Sequence, residues 1–405
     1  MATNHRLAWI WIIFGAAVLP LPVKGAVPLC TGTCVTDQNG VKECSFTFKM
    51  DLYAGATGYY VVEECGQTPM PTLALEQNVK YRFIQHDKSN WFHPLGVAYF
   101  PDGAHEGVDE LEPGVSKSTT TPSCTAASTC QAPRYFKNGV FLGTTFDNTA
   151  TPPAGGADFG LDVYEPLFQG DYVDWQTQKF EMQLTITDVG YTKDLFYFCH
   201  VHNKMSGRIK IVGGGASAAP LHPANDPPLG YAYDVPSLFD ATCGTYDTAQ
   251  YNREANVCQG SFFCEGTTTT TAATKVFGDC LYAMDCAMHV GMRTNLAIDD
   301  PMVTFMHQMI PHHANAVNMA KALMKVGYMD TADKEIEGLL MSIIAVQNKQ
   351  IHVMEAWLKS NNHPSESTCS DMTGASQGTP SNPATSTFVA ALATVTALFL
   401  VVRSV

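Results

Sequence analysis

The apolar residues of this chain change their period part-way along. Up to about residue 214 they tend to alternate, partially in Lys42 to Tyr53 and Val79 to Gln85. The alternation is clearest at Met182, Leu184 and Ile186 within Phe180 to Val189, and Leu195 to Phe198 and Arg208 to Val212 continue the strand character. A two-residue period places side chains on opposite faces of a strand, so these segments predict strands. Long loops rich in Gly, Pro, Asp and Thr, over 101–125 and 144–160, separate them, and no long amphipathic helix intervenes. From about residue 279 the period becomes helical, with predicted helices from about Asp279 to Arg293, Asp300 to Val326 and Thr331 to Ser360. The expected fold class is therefore multidomain, β plus α: a sandwich or barrel over 26–214 and a helical bundle over 279–363. Gly213-Gly214-Gly215 and the Pro/Ala-rich run from Ala216 to Pro236 open a connector over 215–278, which closes in a threonine tract at 267–271.

The two ends read differently from the body. His5 and Arg6 precede an apolar run from Leu7 to Leu21, and Val23-Lys24-Gly25 follows. That is the pattern of a signal peptide over 1–25, cleaved after Gly25. At the other end, Gly374-Ala375-Ser376 leads through a polar spacer to an apolar tail, Phe388 to Val402, with a polar stalk over 364–387 and the tail over 388–405. Small triplet, spacer and short tail form a GPI-anchor signal, with a single membrane helix as the alternative; the tail is short for a span. Either places the body on the outer cell surface. Thirteen cysteines then read as an extracellular disulfide framework with one cysteine left over, and bridges are expected to staple the connector to the helices. A net charge of -14 argues against nucleic acid as a partner.

One stretch in the β region carries metal chemistry. Cys199, His202 and Met205 follow one another at three-residue steps between two predicted strands. A blue-copper site needs a thiolate, two imidazoles and a weak axial thioether, and this spacing offers three of the four on one loop. The second imidazole must come from elsewhere: His93, in Trp91-Phe92-His93-Pro94, is the first candidate and His86 the second. His200 should face away from Cys199, because strand side chains alternate. If Cys199 is a thiolate ligand, twelve cysteines remain for six bridges.

The β region resembles the cupredoxin family, whose copper sits between an upstream histidine and a C-terminal Cys/His/Met loop. The resemblance implies a β-sandwich and the ligand set His93, Cys199, His202 and Met205. The second cysteine of a binuclear copper loop is absent, and the single His-x-His at 200 and 202 does not supply a trinuclear cluster.

The helical region carries a second set of soft ligands. Met306, His307, Met309, His312 and His313 crowd one stretch of the middle helix, with Met319 beyond them. Asp300-Pro301 reads as its N-cap and first helical position, and Pro311 as an internal bend. Met284, Met288 and Met292 recur at four-residue spacing on the preceding helix, with His289 beside them. Thioether and imidazole suit copper, thioether favouring Cu(I). In the third helix Ile344, Gln347, Ile351, Met354 and Leu358 form the apolar stripe, with His352 and Glu355 at its side.

Met288-His289-Val290-Gly291-Met292, Met309-Ile310-Pro311-His312-His313, Met319-Ala320-Lys321 and the Ile343 to Leu358 segment resemble the DUF305 family. That resemblance implies a ferritin-like helical fold, secretion and, for some members, copper binding. Gln308, Gln350 and His307 depart from its usual pattern. The expectation is an extracellular, membrane-anchored copper-binding protein for copper capture, buffering or delivery, with electron transfer at the β-region site and no catalytic residue assigned. A copper-dependent surface oxidoreductase and a metal-free structural surface protein are the alternatives.

Overall fold

The computed structural model describes residues 28–367 apart from 54, 107–110, 112–132, 144–160, 187–193, 215–218, 222–227, 232, 234–235, 261, 265–270, 297–299 and 328–333. The expected signal peptide, most of the two long loops, Cys124 and Cys130, most of the threonine tract, and the C-terminal tail lie outside the described residues. Twelve strands are described: β1 (Cys30–Thr31), β2 (Thr33–Thr36), β3 (Lys42–Asp51), β4 (Tyr59–Val62), β5 (Leu73–Glu76), β6 (Lys80–Gln85), β7 (Leu95–Ala98), β8 (Arg134–Lys137), β9 (Val140–Phe141), β10 (Phe180–Thr185), β11 (Leu195–Cys199) and β12 (Ser206–Val212). The helices are α1 (Leu161–Leu167), α2 (Tyr172–Trp175), α3 (Leu238–Cys243), α4 (Ala272–Gly291), α5 (Pro301–Lys325) and α6 (Lys334–Ser360).

The strands form two sheets. One runs β1-β5-β12-β11-β7; the other runs β2-β3-β6-β10-β8-β9, with β4 added to the far half of β3. β6 and β10 pair antiparallel, Phe180 opposite Gln85, and each buries every second residue, as their alternation predicts. Phe46, Phe83 and Met182 from one sheet and Leu73, Tyr197 and Ile209 from the other share a single buried core, which makes the region a sandwich. β11 and β12 are buried along their whole length, which a strict alternation would not anticipate. β12 even buries Arg208 and Lys210, both held by Asp194.

The helices lie near their expected bounds. Asp300 caps α5, its side chain accepting the Met302 N–H at 2.8 Å, and Pro301 opens it. The helix runs through Pro311 without a break. α4 begins at Ala272, earlier than the expected Asp279. Thr271 caps it, accepting from the Thr274 N–H, and its first residues are exposed, so they carry no apolar stripe for periodicity to detect. α5 packs against both α4 and α6.

The sandwich and the helices belong to one compact unit that extends to Ser367. Met341 and Ala345 of α6 are buried in the same core as the strands. Lys321 of α5 is fully buried and donates to the carbonyls of Gly55 and Ala56 at 2.9 and 2.7 Å.

Disulfides join Cys30–Cys65, Cys34–Cys44, Cys243–Cys280 and Cys258–Cys286. The last two fasten the connector to α4, as expected. Cys199 is unbridged, and so, among the described residues, is the exposed Cys264; parity therefore does not single out Cys199. Four bridges suit an oxidising, extracellular compartment. Among the described residues no helix is long and apolar enough to cross a membrane.

Candidate metal centre

Cys199 closes β11 and pairs with Leu95 at the start of β7. Three residues before Leu95 the chain turns through Phe92, whose φ of 66° lies in the left-handed region, and this presents His93 beside the cysteine. The turn is held from below. Tyr60 Oη and Gln85 Nε2 both donate to the His93 carbonyl, at 2.8 and 2.7 Å, and Asn90 donates to the Phe48 carbonyl at 2.8 Å. On the other side β11 gives way to a loop that returns in β12, and this loop carries His202 and Met205.

His93, Cys199 and His202 converge, with their ligand atoms all within 4.8 Å of one another. The sulfur lies 3.7 Å from Nδ1 of each histidine, and the two Nδ1 atoms are 3.2 Å apart. The point equidistant from the three atoms is about 2 Å from each, the reach of an imidazole or thiolate bond to a transition metal. Exposure is 2% for His93 and 0% for Cys199 and His202.

His202 donates from Nε2 to the carbonyl of Ala345 on α6, at 3.1 Å. A carbonyl only accepts, so the proton sits on Nε2 and Nδ1 keeps its lone pair toward the cysteine. The His202 backbone N–H also points at the sulfur, at 3.4 Å. Burial lowers His202 to about 4, and burial with the neighbouring His202 and Lys321 charges holds His93 well below the ordinary histidine range. Both imidazoles are thus neutral, the ligating form. Burial pushes the Cys199 thiol up to about 12, against the pull of the His202 and Val201 N–H groups. A thiol so buried becomes a thiolate when a cation takes the proton's place. A thiolate and two imidazoles that converge in a site closed to water are a donor set that fits copper.

The remaining sequence candidates fall as follows. Met205 is fully buried in the core that holds Cys199, and its N–H donates to Asp102 at 3.1 Å. His86 is exposed, and His200 packs on Phe198 over Gly96, away from the three donors. In the helices, Met284 is buried, Met288 and Met292 are half-buried, and His289 is exposed beside Phe262. Met306 and Met309 pack with Val303, Met354 and Leu358. His307 is buried and donates from Nε2 to the Pro364 carbonyl at 2.9 Å. His312 is exposed, with its ring 5.8 Å from that of the half-buried His313. Met319 is exposed, yet its sulfur and that of Met288 both lie near Asn315 Nδ2, at 3.8 and 3.3 Å. Among the described residues, His93, Cys199 and His202 are the one convergent group of three His, Cys or carboxylate ligands. Gln85 had a signal in the sequence, a polar residue at an inward position of β6. Ala345 had none, because its role is a backbone carbonyl brought from another element.

Residues 302–398 match the family DUF305, a domain of unknown function. The match takes in α5 and α6 and starts after α4. No curated protein matches the chain. Among solved structures, reduced rusticyanin is similar at 15% identity, covering 42% of this chain and 79% of that chain with a TM-score of 0.18. Rusticyanin from Thiobacillus ferrooxidans is similar at 13% identity, covering 44% and 86%, again with a TM-score of 0.18.

Proposed function

We propose that this chain is a secreted, membrane-anchored copper-binding protein whose β region holds one copper ion through His93, Cys199 and His202, with Met205 as a weak fourth ligand. The observation that carries this is the burial of one sulfur and two imidazole nitrogens around a point about 2 Å from each. When bound, copper supplies one-electron redox chemistry. The chain's own part is to fix the donors and exclude water. Tyr60 and Gln85 anchor His93 by its carbonyl, Ala345 holds the proton of His202 on Nε2, and α6 covers that imidazole. Capture, buffering or delivery of copper is the role we assign, with electron transfer at this centre. The Met/His positions on α4 and α5 are proposed to take further copper ions. Membrane attachment is assigned to the C-terminal tail, through a GPI anchor or a single helix.

The test is copper content with visible and EPR spectra on the purified protein. The expected result is one copper ion with a strong visible thiolate band, lost in Cys199→Ser. A colourless copper-loaded wild type rejects the thiolate centre.

A further inference from the structure

Both imidazoles of the trio are shut off from solvent, His202 by its contact with α6. The third donor has a different neighbour. The Cys199 carbonyl accepts from Nε2 of His105 at 2.7 Å, and His105 is exposed. A carbonyl only accepts, so the His105 proton sits on Nε2. Among the described residues, no other hydrogen-bond partner of His93, Cys199 or His202 is an exposed side chain.

The turn that carries His105 is built onto the ligand loop. It is a single 3-10 turn, Gly103–Glu106, that follows Asp102. Asp102 is buried, and its Oδ1 accepts from the Met205 N–H at 3.1 Å, the Ser206 hydroxyl at 3.0 Å and the Tyr231 hydroxyl at 3.1 Å. Its own N–H donates to Ser206 Oγ at 2.6 Å, and its carbonyl accepts the His105 N–H at 2.8 Å. Gly103 lets the turn settle on Phe198, the residue before Cys199; a Cβ there would lie 2.5 Å from the ring. The imidazole is thus fixed by the same buried carboxylate that fixes the loop after Cys199. The sequence around it is acidic. Four carboxylates, Glu106, Asp109, Glu110 and Glu112, follow within seven residues, and no Lys or Arg lies within seven residues on either side. The Leu111 N–H donates to the Val97 carbonyl at 2.8 Å, so this stretch is tethered to β7 at its far end. A negative stretch on a chain of net charge -14 attracts cations and speeds their encounter.

We infer that His105 is the port through which an electron reaches the buried centre, and that the partner it meets is a cationic one-electron donor. The path runs from the imidazole across the Nε2–H···O=C bond to the Cys199 backbone and its sulfur. The donor loses one electron and Cu(II) becomes Cu(I); no bond forms or breaks and no proton moves. The electron step rests on the copper centre proposed above; the docking face does not.

Stopped-flow reduction of the copper-loaded full chain by hexaammineruthenium(II), a cationic outer-sphere donor, tests the port. His105→Phe keeps a ring but offers the carbonyl no N–H, and it slows reduction about tenfold. His105→Gln keeps an N–H near the Nε2 position and restores most of the rate. In both variants the visible thiolate band and the reduction potential stay at their wild-type values, and far-UV circular dichroism confirms folding. The wild-type rate falls as salt rises, whereas with ascorbate, an anion, it rises. Hexaamminechromium(III), a redox-inert paramagnetic cation, reads docking in the metal-free protein: it broadens the ring resonances of His105 more than those of the exposed His86 and His312. Equal rates in wild type and His105→Phe overturn the port, as does equal slowing by both variants. A shifted band or potential overturns it too, because His105 then only positions the ligand loop. Broadening that favours His86 or His312 overturns the docking face. A wild type that takes copper without colour rejects the centre and the electron step together, and the chromium measurement then decides the docking face by itself.

Discussion

His202 donates its Nε2 proton to the Ala345 carbonyl across 3.1 Å, which binds the loop of one sheet to the third long helix. The two residues are 143 apart in the chain. The contact fixes the tautomer of a candidate ligand and buries it, so the helical region helps to build the candidate metal centre rather than being an appendage to it. Ala345→Leu inserts three carbons where α6 meets the strand core. It should cost about 1–3 kcal/mol in urea unfolding and change the EPR spectrum of the copper-loaded protein. An unchanged spectrum would mean that α6 does not constrain His202.

Acid should weaken the metal-free protein. His202 is lowered to about 4, and His200 and His352 to about 3, each chiefly by burial. Unfolded, each binds a proton near 6.5, so between these values the unfolded state holds more protons and stability falls as pH drops. At pH 5 the loss from His202 alone is on the order of 2 kcal/mol relative to pH 7. Urea midpoints at the two pH values measure it; equal midpoints would mean that these imidazoles are not buried neutral.

Gly207 faces Tyr197 across the β11–β12 pair, and a Cβ there would sit 1.9 Å from the ring. The ring is fully buried and its Oη donates to the Pro71 carbonyl at 2.8 Å, so it has little room to yield. Gly207→Ala should destabilise by roughly 1–3 kcal/mol or more. Thermal unfolding reads the shift, and a wild-type Tm would show that the tyrosine yields.

The Cys243–Cys280 bridge ties α3 to α4. Replacing both cysteines by serine should remove about 2–4 kcal/mol by freeing the unfolded chain. Non-reducing calorimetry of the double variant checks it, and an unchanged Tm would show that packing alone holds the connector.

Much of this architecture is legible in the pattern of residues. The strands β3, β6, β10, β11 and β12 and the helices α5 and α6 fall within a few residues of where their periods place them. The start of α4 is hidden because its first residues are exposed and carry no stripe. The ligand loop is legible because Cys199, His202 and Met205 are neighbours in the chain, and a loop between two strands leaves them few ways to diverge. The choice of His93 over His86 is not decided by spacing. It follows from the turn at Phe92 and from Tyr60, Gln85 and Asn90 beneath it.

By itself, then, the amino-acid sequence determined the two periods, the cap at Asp300 and the Cys-x-x-His-x-x-Met spacing, all set by chain geometry over a few residues. Only the tertiary structure decided which distant histidine completes the trio, that the histidines of α5 disperse to different faces, and that a backbone carbonyl of α6 holds His202. Those outcomes depend on how elements pack across long separations, where burial and unsatisfied polar groups, rather than local spacing, select the partner.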